Sequence, residues 1–344
     1  LDIQQNQTPT PSWGLDRIDQ RERVSTAAGY QGSYGYRSAG TGATIYIGDT
    51  GIYPHDDLAG RISTVGFAGI QDGNGTVDCN GHGTHVATTA AGTKYGIAKN
   101  ARVVPVRILN CAGSGSYATV ISGLDWILSP LNTNPKTQAV LNLSIGGPAA
   151  SSINDAILRL TNAGITVVAA AGNENTDACT KSPASAPTAI TVGATGIDDT
   201  KAFFSNWGKC VDIHAPGYYT TAGWKDAANA TNTISGTSMA TPHVTGAAAV
   251  FLGLNPTATV AQVADALASQ STKGAVIGLP ADTVNNLLYV SPTDGGPAIT
   301  PPAVQIATVT GITHLQAQAN VEINPNNAPT TATLQYASDE AFTS

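Results

Sequence analysis

Short, almost continuously apolar runs recur along this chain at residues 43–49 (ATIYIGD), 102–109 (RVVPVRIL), 139–145 (AVLNLSI), 165–171 (ITVVAAA) and 189–194 (AITVGA). Their length and β-branched content predict strands, and their lack of polar alternation predicts burial on both faces. Between them, Ile153, Ala156, Ile157 and Leu160 recur at helical spacing after Ser151 and Ser152, with Gly164 placed to end the helix. Such alternation predicts an α/β fold built on a parallel sheet. In open sheets of this kind the ligand crevice lies beyond the carboxyl ends of the strands. Polar residues that close an apolar strand are therefore where chemistry is expected, and two do so, Asp49 and Asn173.

Near residue 290 the pattern changes. The stretch 291–303 (SPTDGGPAITPPA) is rich in Pro and Gly and reads as an extended, semi-rigid linker. Residues 304–344 carry alternating Thr, Val, Leu and Tyr and are expected to be a fragment of a β-sandwich-like module, too short to complete one. A main domain over 13–290 and an N-terminal arm over 1–12 complete the expected organisation.

Composition narrows the function. A hydrophobic share of 42% is that of a globular protein, while only 11% of residues are charged and the formal net charge is −7. With no run of Lys and Arg able to track a phosphate backbone, nucleic acid is not an expected partner. No apolar stretch reaches the roughly 18 residues that a membrane span needs. The first residues lack a basic start and an apolar segment, and residue 1 is not Met, so the chain reads as a mature or excised form. Four cysteines, Cys79, Cys111, Cys179 and Cys210, allow two disulfides in three connectivities, which spacing alone does not rank. Disulfides would place the protein in an oxidising compartment.

The candidate chemistry begins with Ser238, which follows Gly236-Thr237 and opens an Ala-rich segment of helical potential, with Pro242 expected in its first turn. A hydroxyl at a helix N-terminus lies beside unpaired N–H groups and the positive end of the helix dipole, where an oxyanion can be stabilised. Taken alone, such a serine is far more often a simple cap. It becomes nucleophilic only with a base, for which His82 in DCNGHGTHVATTAAG is the best single choice. Asp49, closing the strand ATIYIGD, can orient that imidazole, and it is preferred to Asp56 and Asp57, which sit in a polar turn. Asn173 offers an amide donor to a developing oxyanion, with the Ser238 N–H as the other. A rival reading assigns Cys79, His82, His85 and Cys111 to zinc. It is weakened by irregular separation, by the absence of an HExxH pattern, and by a second cysteine pair that zinc leaves unexplained.

Asp-Thr-Gly (49–51), His-Gly-Thr-His (82–85), Ala-Ala-Gly-Asn (170–173) and Gly-Thr-Ser-Met-Ala-Thr-Pro (236–242), in that order, resemble the four signature motifs of the subtilisin-like serine proteases. The similarity runs from about Trp13 to Tyr289. WGLDRIDQR, SGSYATVISGLDW and SPASAPTAITVGA resemble the proteinase K branch, and the cysteine positions resemble its aqualysin-type bacterial extracellular members.

The resemblance implies a three-layer fold, Cys79–Cys111 and Cys179–Cys210 disulfides, and a secreted, monomeric endopeptidase of broad specificity. It implies an extended substrate paired between Gly113-Ser114-Gly115 and Ser144-Ile145-Gly146, with Tyr117 near the outer pocket. It also implies a pro-segment that aids folding and inhibits until removed, and no organic cofactor. Structural Ca²⁺ is expected at Asp212 with the carbonyls of Pro187 and Ala189. A weaker second site would use Asp16, Asp19 and Gln20, where expected downstream ligands are replaced by Thr26 and Ala28. A third acidic loop, reduced here to Gln71-Asp72-Gly73-Asn74, is not expected to bind calcium. Thr88 stands where the family usually has Gly, which predicts local readjustment in a closely packed helix. Two other classes stand beside this reading: a catalytically impaired binding module, which would need a damaged motif, and a serine esterase, which would share the nucleophile.

Overall fold

The structure, a computed structural model, describes residues 5–24, 32–292, 303–310 and 318–324, the last two as backbone. It divides into two compact units, Leu1–Gly296 and Pro297–Ser344. In the larger unit the chain begins with β1 (Gln5–Gln7), α1 (Trp13–Ile18) and β2 (Tyr34–Tyr36), β1 and β2 pairing antiparallel. There follow β3 (Thr44–Asp49), β4 (Phe67–Ala68), α2 (His82–Ala91), β5 (Arg102–Arg107), α3 (Tyr117–Leu128), β6 (Ala139–Leu143), β7 (Gly147–Pro148) and α4 (Ser151–Asn162). Next come β8 (Thr166–Ala170), β9 (Lys181–Ser182), β10 (Ile190–Thr195), β11 (Ile213–Pro216), β12 (Thr220–Gly223) and β13 (Thr231–Ile234). Last are α5 (Thr237–Leu254), α6 (Val260–Gln270), β14 (Thr272–Lys273) and β15 (Asn286–Leu287).

Each apolar run read as a strand is a strand of one sheet, ordered β14-β15-β11-β10-β8-β6-β3-β5-β4. Pairing is parallel from β15–β11 through to β5–β4, and only β14–β15 is antiparallel. β3, β6, β8 and β10 are buried along their whole length. That burial is why their sequences do not alternate. On one face, Val120, Leu124 and Ile127 of α3 and Ile153, Ile157 and Leu160 of α4 pack against Tyr46, Val104, Leu141 and Val167 of the sheet. α5 packs against β6, β8, β10 and β11 and against α2, forming the opposite layer. The chain is thus a three-layer α/β fold. Gly164 ends the α4 turn with φ 86°, a left-handed conformation that glycine adopts without strain.

Strand order reverses about β3, which lies between β5 and β6. A crevice opens at such a point beyond the carboxyl ends of the strands, where Asp49 leaves β3. Pro242 and Asn173 depart locally from expectation: β8 ends at Ala170, so Asn173 lies three residues beyond the strand instead of closing it. α5 begins at Thr237, so Pro242 falls in its second turn rather than its first. The N–H that proline lacks would have bonded the Ser238 carbonyl; that carbonyl instead accepts the Ser144 hydroxyl at 2.7 Å.

In the smaller unit β16 (Ala303–Thr310) and β17 (Gln318–Asn324) pair antiparallel, with an irregularity between Ile306 and Thr308. Most of the expected linker, the remainder of 304–344, the first residues of the N-terminal arm, and Thr26 and Ala28 lie outside the described residues. Among the described residues no helix is long and apolar enough to cross a membrane.

Candidate active site

His82 opens α2, and Gly81 before it adopts φ 112°, a turn that a side chain would strain. Its Nδ1–H donates to Asp49 Oδ1 at 2.8 Å and lies 3.0 Å from Oδ2. A carboxylate can only accept, so the proton sits on Nδ1 and Nε2 is left as the basic nitrogen. Asp49 is fully buried, and its Oδ1 also accepts the Thr50 N–H at 2.7 Å. Burial of His82 works against the imidazolium, but the Asp49 charge, the hydrogen bond to it and the more distant Asp78 charge outweigh it. The His82 pKa therefore lies above the ordinary histidine value.

Behind this pair is a carboxylate that sequence reading passed over. Asp78 is 2% exposed; its Oδ1 accepts from Thr50 Oγ1 (2.8 Å), Asn80 N (2.9 Å) and Gly81 N (2.9 Å). Its Oδ2 accepts from Thr84 N (2.9 Å) and Thr84 Oγ1 (2.6 Å). Thr50 Oγ1 in turn accepts the Gly83 N–H at 2.9 Å. The turn after β3 and the first turn of α2 are thereby tied to one buried anion. Arg107, also fully buried, supports the same turn from below, its Nε donating to the Thr50 carbonyl at 3.1 Å. The rest of its guanidinium forks onto Asp72 at 2.7 and 2.5 Å and holds that carboxyl below the usual range. The acidic loop at Gln71–Asn74 is therefore committed to an arginine.

Ser238 is the second residue of α5, so its N–H belongs to a first turn that lacks intrahelical acceptors. Its Oγ donates to the Ser144 carbonyl at 3.1 Å. Asn173 follows β8, and its Oδ1 accepts both the N–H (2.8 Å) and the hydroxyl (2.9 Å) of Thr237. Those two donors fix the amide with oxygen toward Thr237 and leave Nδ2 free to donate. Thr237 is a second residue that motif reading did not single out. Its signal is its place between the helix cap and the serine.

His82, Ser238 and Asn173 line one cleft of about 550 Å³. The same cleft is lined by Gly113, Ser114, Gly115, Tyr117, Ser144, Ile145 and Gly146, the full set expected to meet a peptide. A Cβ at Gly146 would meet nothing within 4 Å, so the backbone there is open to a partner strand. Tyr117 donates its hydroxyl to the Pro148 carbonyl at 2.6 Å, which anchors this side chain of the cleft wall.

Other groups weighed from the sequence lie elsewhere. Cys79 is bonded to Cys111 and Cys179 to Cys210, with Cα separations of 5.0 and 5.3 Å, so the thiolates that zinc would need do not exist. His85 is fully buried, its Nε2 3.2 Å from the Thr220 carbonyl, and burial followed by the His82 charge pushes its pKa down to about 3. Asp57 accepts Lys94 N at 2.5 Å, away from the cleft. Thr88 is buried in α2 and hydrogen-bonded on three sides, to Thr84 O, His85 O and Gly223 N.

The carboxylates expected to hold calcium are placed as follows. Asp212, Pro187 and Ala189 line a single surface groove, and Asp212 Oδ2 accepts Thr191 N at 2.8 Å while burial raises its pKa. Asp16 and Asp19 accept Ser33 N (2.9 Å) and Gly35 N (2.5 Å) respectively. Burial first, and the Asp16 charge less strongly, raise the Asp19 pKa to about 7. The Gln20 carbonyl accepts from Arg17 at 2.8 Å.

Residues 40–288 match the model of the subtilase family. The chain is 50% identical to an extracellular serine proteinase of a Thermus strain over 81% of its own length and 66% of that protein's. It is 43% identical to alkaline serine exoprotease A of Vibrio alginolyticus over 84% of itself but 53% of the relative, so it spans less than two thirds of both. Proteinase T of Parengyodontium album is 44% identical, with 80% of this chain and 91% of the relative covered. A cold-adapted subtilisin-like serine proteinase superposes with a TM-score of 0.73 at 42% identity, covering 80% of this chain and 97% of the other. Motif order, a three-layer fold around a mostly parallel sheet and one cleft uniting His82, Ser238 and Asn173 agree with these likenesses: the chain belongs to the subtilase family.

Proposed function

We propose that this protein is a secreted serine endopeptidase of broad specificity, with Ser238 as nucleophile, His82 as base and Asp49 as the group that orients it. The observation that carries the reading is the convergence on one cleft of a tautomer-fixed imidazole, a helix-terminal serine and an amide whose oxygen is already engaged. Ser238 Oγ rotates from the Ser144 carbonyl toward His82 Nε2, gives up its proton there and bonds the scissile carbonyl carbon. The oxyanion accepts from Asn173 Nδ2 and the Ser238 N–H. As the C–N bond breaks, His82 returns the proton to the leaving amine, and water attacking by the same route releases the acid.

Substrate is held as an added strand between Gly113–Gly115 and Ser144–Gly146. Backbone pairing of that kind gives affinity with little sequence discrimination. The extracellular relatives support secretion, and two disulfides are consistent with it. A pro-segment acting as folding aid and inhibitor, and a monomeric mature enzyme, belong to the same reading.

Calcium is proposed at the Asp212 groove. The partly desolvated Asp212 carboxylate lines one groove with Pro187 and Ala189, whose backbone oxygens would complete a hard-oxygen donor set, and a bound Ca²⁺ would supply structural stabilisation there without entering the reaction. Asp16 and Asp19 form a second, poorer donor set because the Gln20 carbonyl is already engaged by Arg17. Casein hydrolysis by the purified protein, with and without a phosphonyl fluoride and beside Ser238→Ala, tests the proposal. Loss of activity in both arms supports it; no hydrolysis by folded wild type, or retention in Ser238→Ala, refutes it.

A further inference from the structure

Beyond Asn173, on the same edge of the sheet, lies a surface that neither the triad nor the paired edge segments use. Phe203, Phe204, Tyr218 and Tyr219 form an unbroken run of rings. Their centroids are 5.3 Å apart for Phe203–Phe204, 6.1 Å for Phe203–Tyr218, 6.0 Å for Phe204–Tyr218 and 4.3 Å for Tyr218–Tyr219. Phe203 is 73% exposed and Tyr219 61%. Scattered exposed apolar residues need no explanation, but contiguous ones mark an interaction surface.

The sheet order says which way this surface faces. Along the carboxyl edge the strands run β5, β6 and β8, with β3 between the first two, and then β10 and β11. Gly113–Gly115 follow β5, Ser144–Gly146 follow β6 and Asn173 follows β8, whereas Phe203 and Phe204 follow β10 and Tyr218 and Tyr219 follow β11. The segments that pair with substrate therefore lie on one side of Asn173 and the rings on the other. Hydrogen bonds join the segments that carry the rings to both site loops: Asn175 N–H to Phe204 O and Gly236 N–H to Gly217 O between backbones, and Tyr219 N–H to the Ser235 hydroxyl, each 2.8 Å.

Tyr219 also has φ 53°, in the left-handed region, where a bulky side chain is disfavoured and glycine is not. An exposed ring on a strained backbone, tilted 49° against its neighbour, contributes little to the fold, and strain of this kind gathers at ligand-binding positions.

We propose that Phe203 and Tyr219 bind the leaving-group side of an extended polypeptide substrate, favouring an aromatic or large aliphatic residue about three positions beyond the scissile bond. The inference rests on the peptidase reading above. Neighbouring strands lie about 4.8 Å apart, so β8 to β11 is roughly 10 Å, the span of about three extended residues. Phe204 accepts the Asn175 N–H, two residues past the cleft-lining Asn173, and that adjacency makes the substrate itself the occupant, rather than a second copy of the chain.

The test uses internally quenched peptides identical up to the scissile bond and carrying Phe, Leu, Ser or Asp at the third residue after it. An anilide substrate that ends at the scissile bond serves as the reference. Wild type should cleave the Phe and Leu peptides with kcat/KM about three- to tenfold above the Ser peptide, the scale of one aromatic contact. Phe203→Ser and Tyr219→Gly should each erode that preference while keeping anilide hydrolysis within about twofold. Tyr219→Gly should also unfold no more readily than wild type, because it relieves the left-handed φ. Equal cleavage of all four peptides by wild type, or a preference that survives both substitutions, overturns the inference. So does a dimer of Ser238→Ala in sedimentation that dissolves on substituting Phe203, if wild type shows no preference. A wild type inactive on the anilide and on every peptide refutes the peptidase reading instead.

Discussion

Thr88 Oγ1 accepts the N–H of Gly223 at 2.9 Å, joining the helix that carries His82 to the β12–β13 hairpin. The same hydroxyl donates within α2 to the Thr84 carbonyl at 2.8 Å. The Thr88 side chain is thus accommodated by a glycine opposite, where a Cβ would come within 2.8 Å of Thr88 Cγ2 and 3.1 Å of His55 Cε1. Thr88→Val keeps the shape but leaves the buried Gly223 N–H without an acceptor. It should cost about 1–3 kcal/mol of stability, measured by thermal unfolding in a Ser238→Ala background that cannot digest itself. Gly223→Ala should destabilise through overpacking, and Thr88→Gly in the same chain should recover part of the loss.

Asp78 predicts a separable effect on catalysis. Asp78→Asn would place an amide NH₂ against one of the donors it now accepts from, and removes a negative charge that favours protonated His82. The acid limb of kcat/KM should move to lower pH, and kcat should fall about 10–100-fold as the His82 turn loses its anchor. A pH profile on an ester substrate reads both. An unshifted limb with lowered activity would leave Asp78 a purely structural role.

Asp49 sets the tautomer of His82, so Asp49→Asn should lower kcat by about 10⁴-fold with little change in fold. The sign of the linked stability follows from the raised His82 pKa. Protonated His82 stabilises the folded state below its unfolded pKa, and that contribution is lost as pH rises through the folded pKa. Stability of Ser238→Ala should therefore decline over that interval above pH 6.5, and the decline should vanish in the double variant with Asp49→Asn.

Acid acts through other histidines. Burial pushes His214 and His243 down to about 4 each, so both fold neutral and must charge on unfolding in acid. Folded pKa values below unfolded ones give stability that is complete above about pH 6.5 and is lost as pH falls toward 4. His243 Nδ1 donates to the Met239 carbonyl at 2.8 Å, while His214 lies within the sheet on β11. Substituting His214 with Leu should flatten the acid limb of the melting profile between pH 6.5 and 4.

The proposed metal predicts a chelator effect located at one groove. EDTA should lower the melting temperature of the wild type, with Ca²⁺ restoring it, and Asp212→Asn should lower it without chelator and respond weakly to added Ca²⁺. An Asp212→Asn protein that responds to calcium as wild type does would move the ion elsewhere.

The amino-acid sequence by itself determined the parallel sheet, because strands buried on both faces must be apolar at every position, as in TIYIGD and TVVAA. It also determined where polar chemistry interrupts that apolarity, because Asp49 ends β3 and Asn173 comes three residues after the last of β8. Local pattern could not place Pro242, whose turn depends on which residue starts the helix. Nor could it rank three cysteine connectivities or reveal that Asp78, one residue before Cys79, is a buried anion gathering donors from two segments. It read Thr88 as a misfit because Gly223 is distant along the chain. Those features rest on contacts between residues far apart in sequence, and spacing carries no distance across the fold until β3, α2 and the β12–β13 hairpin are packed together.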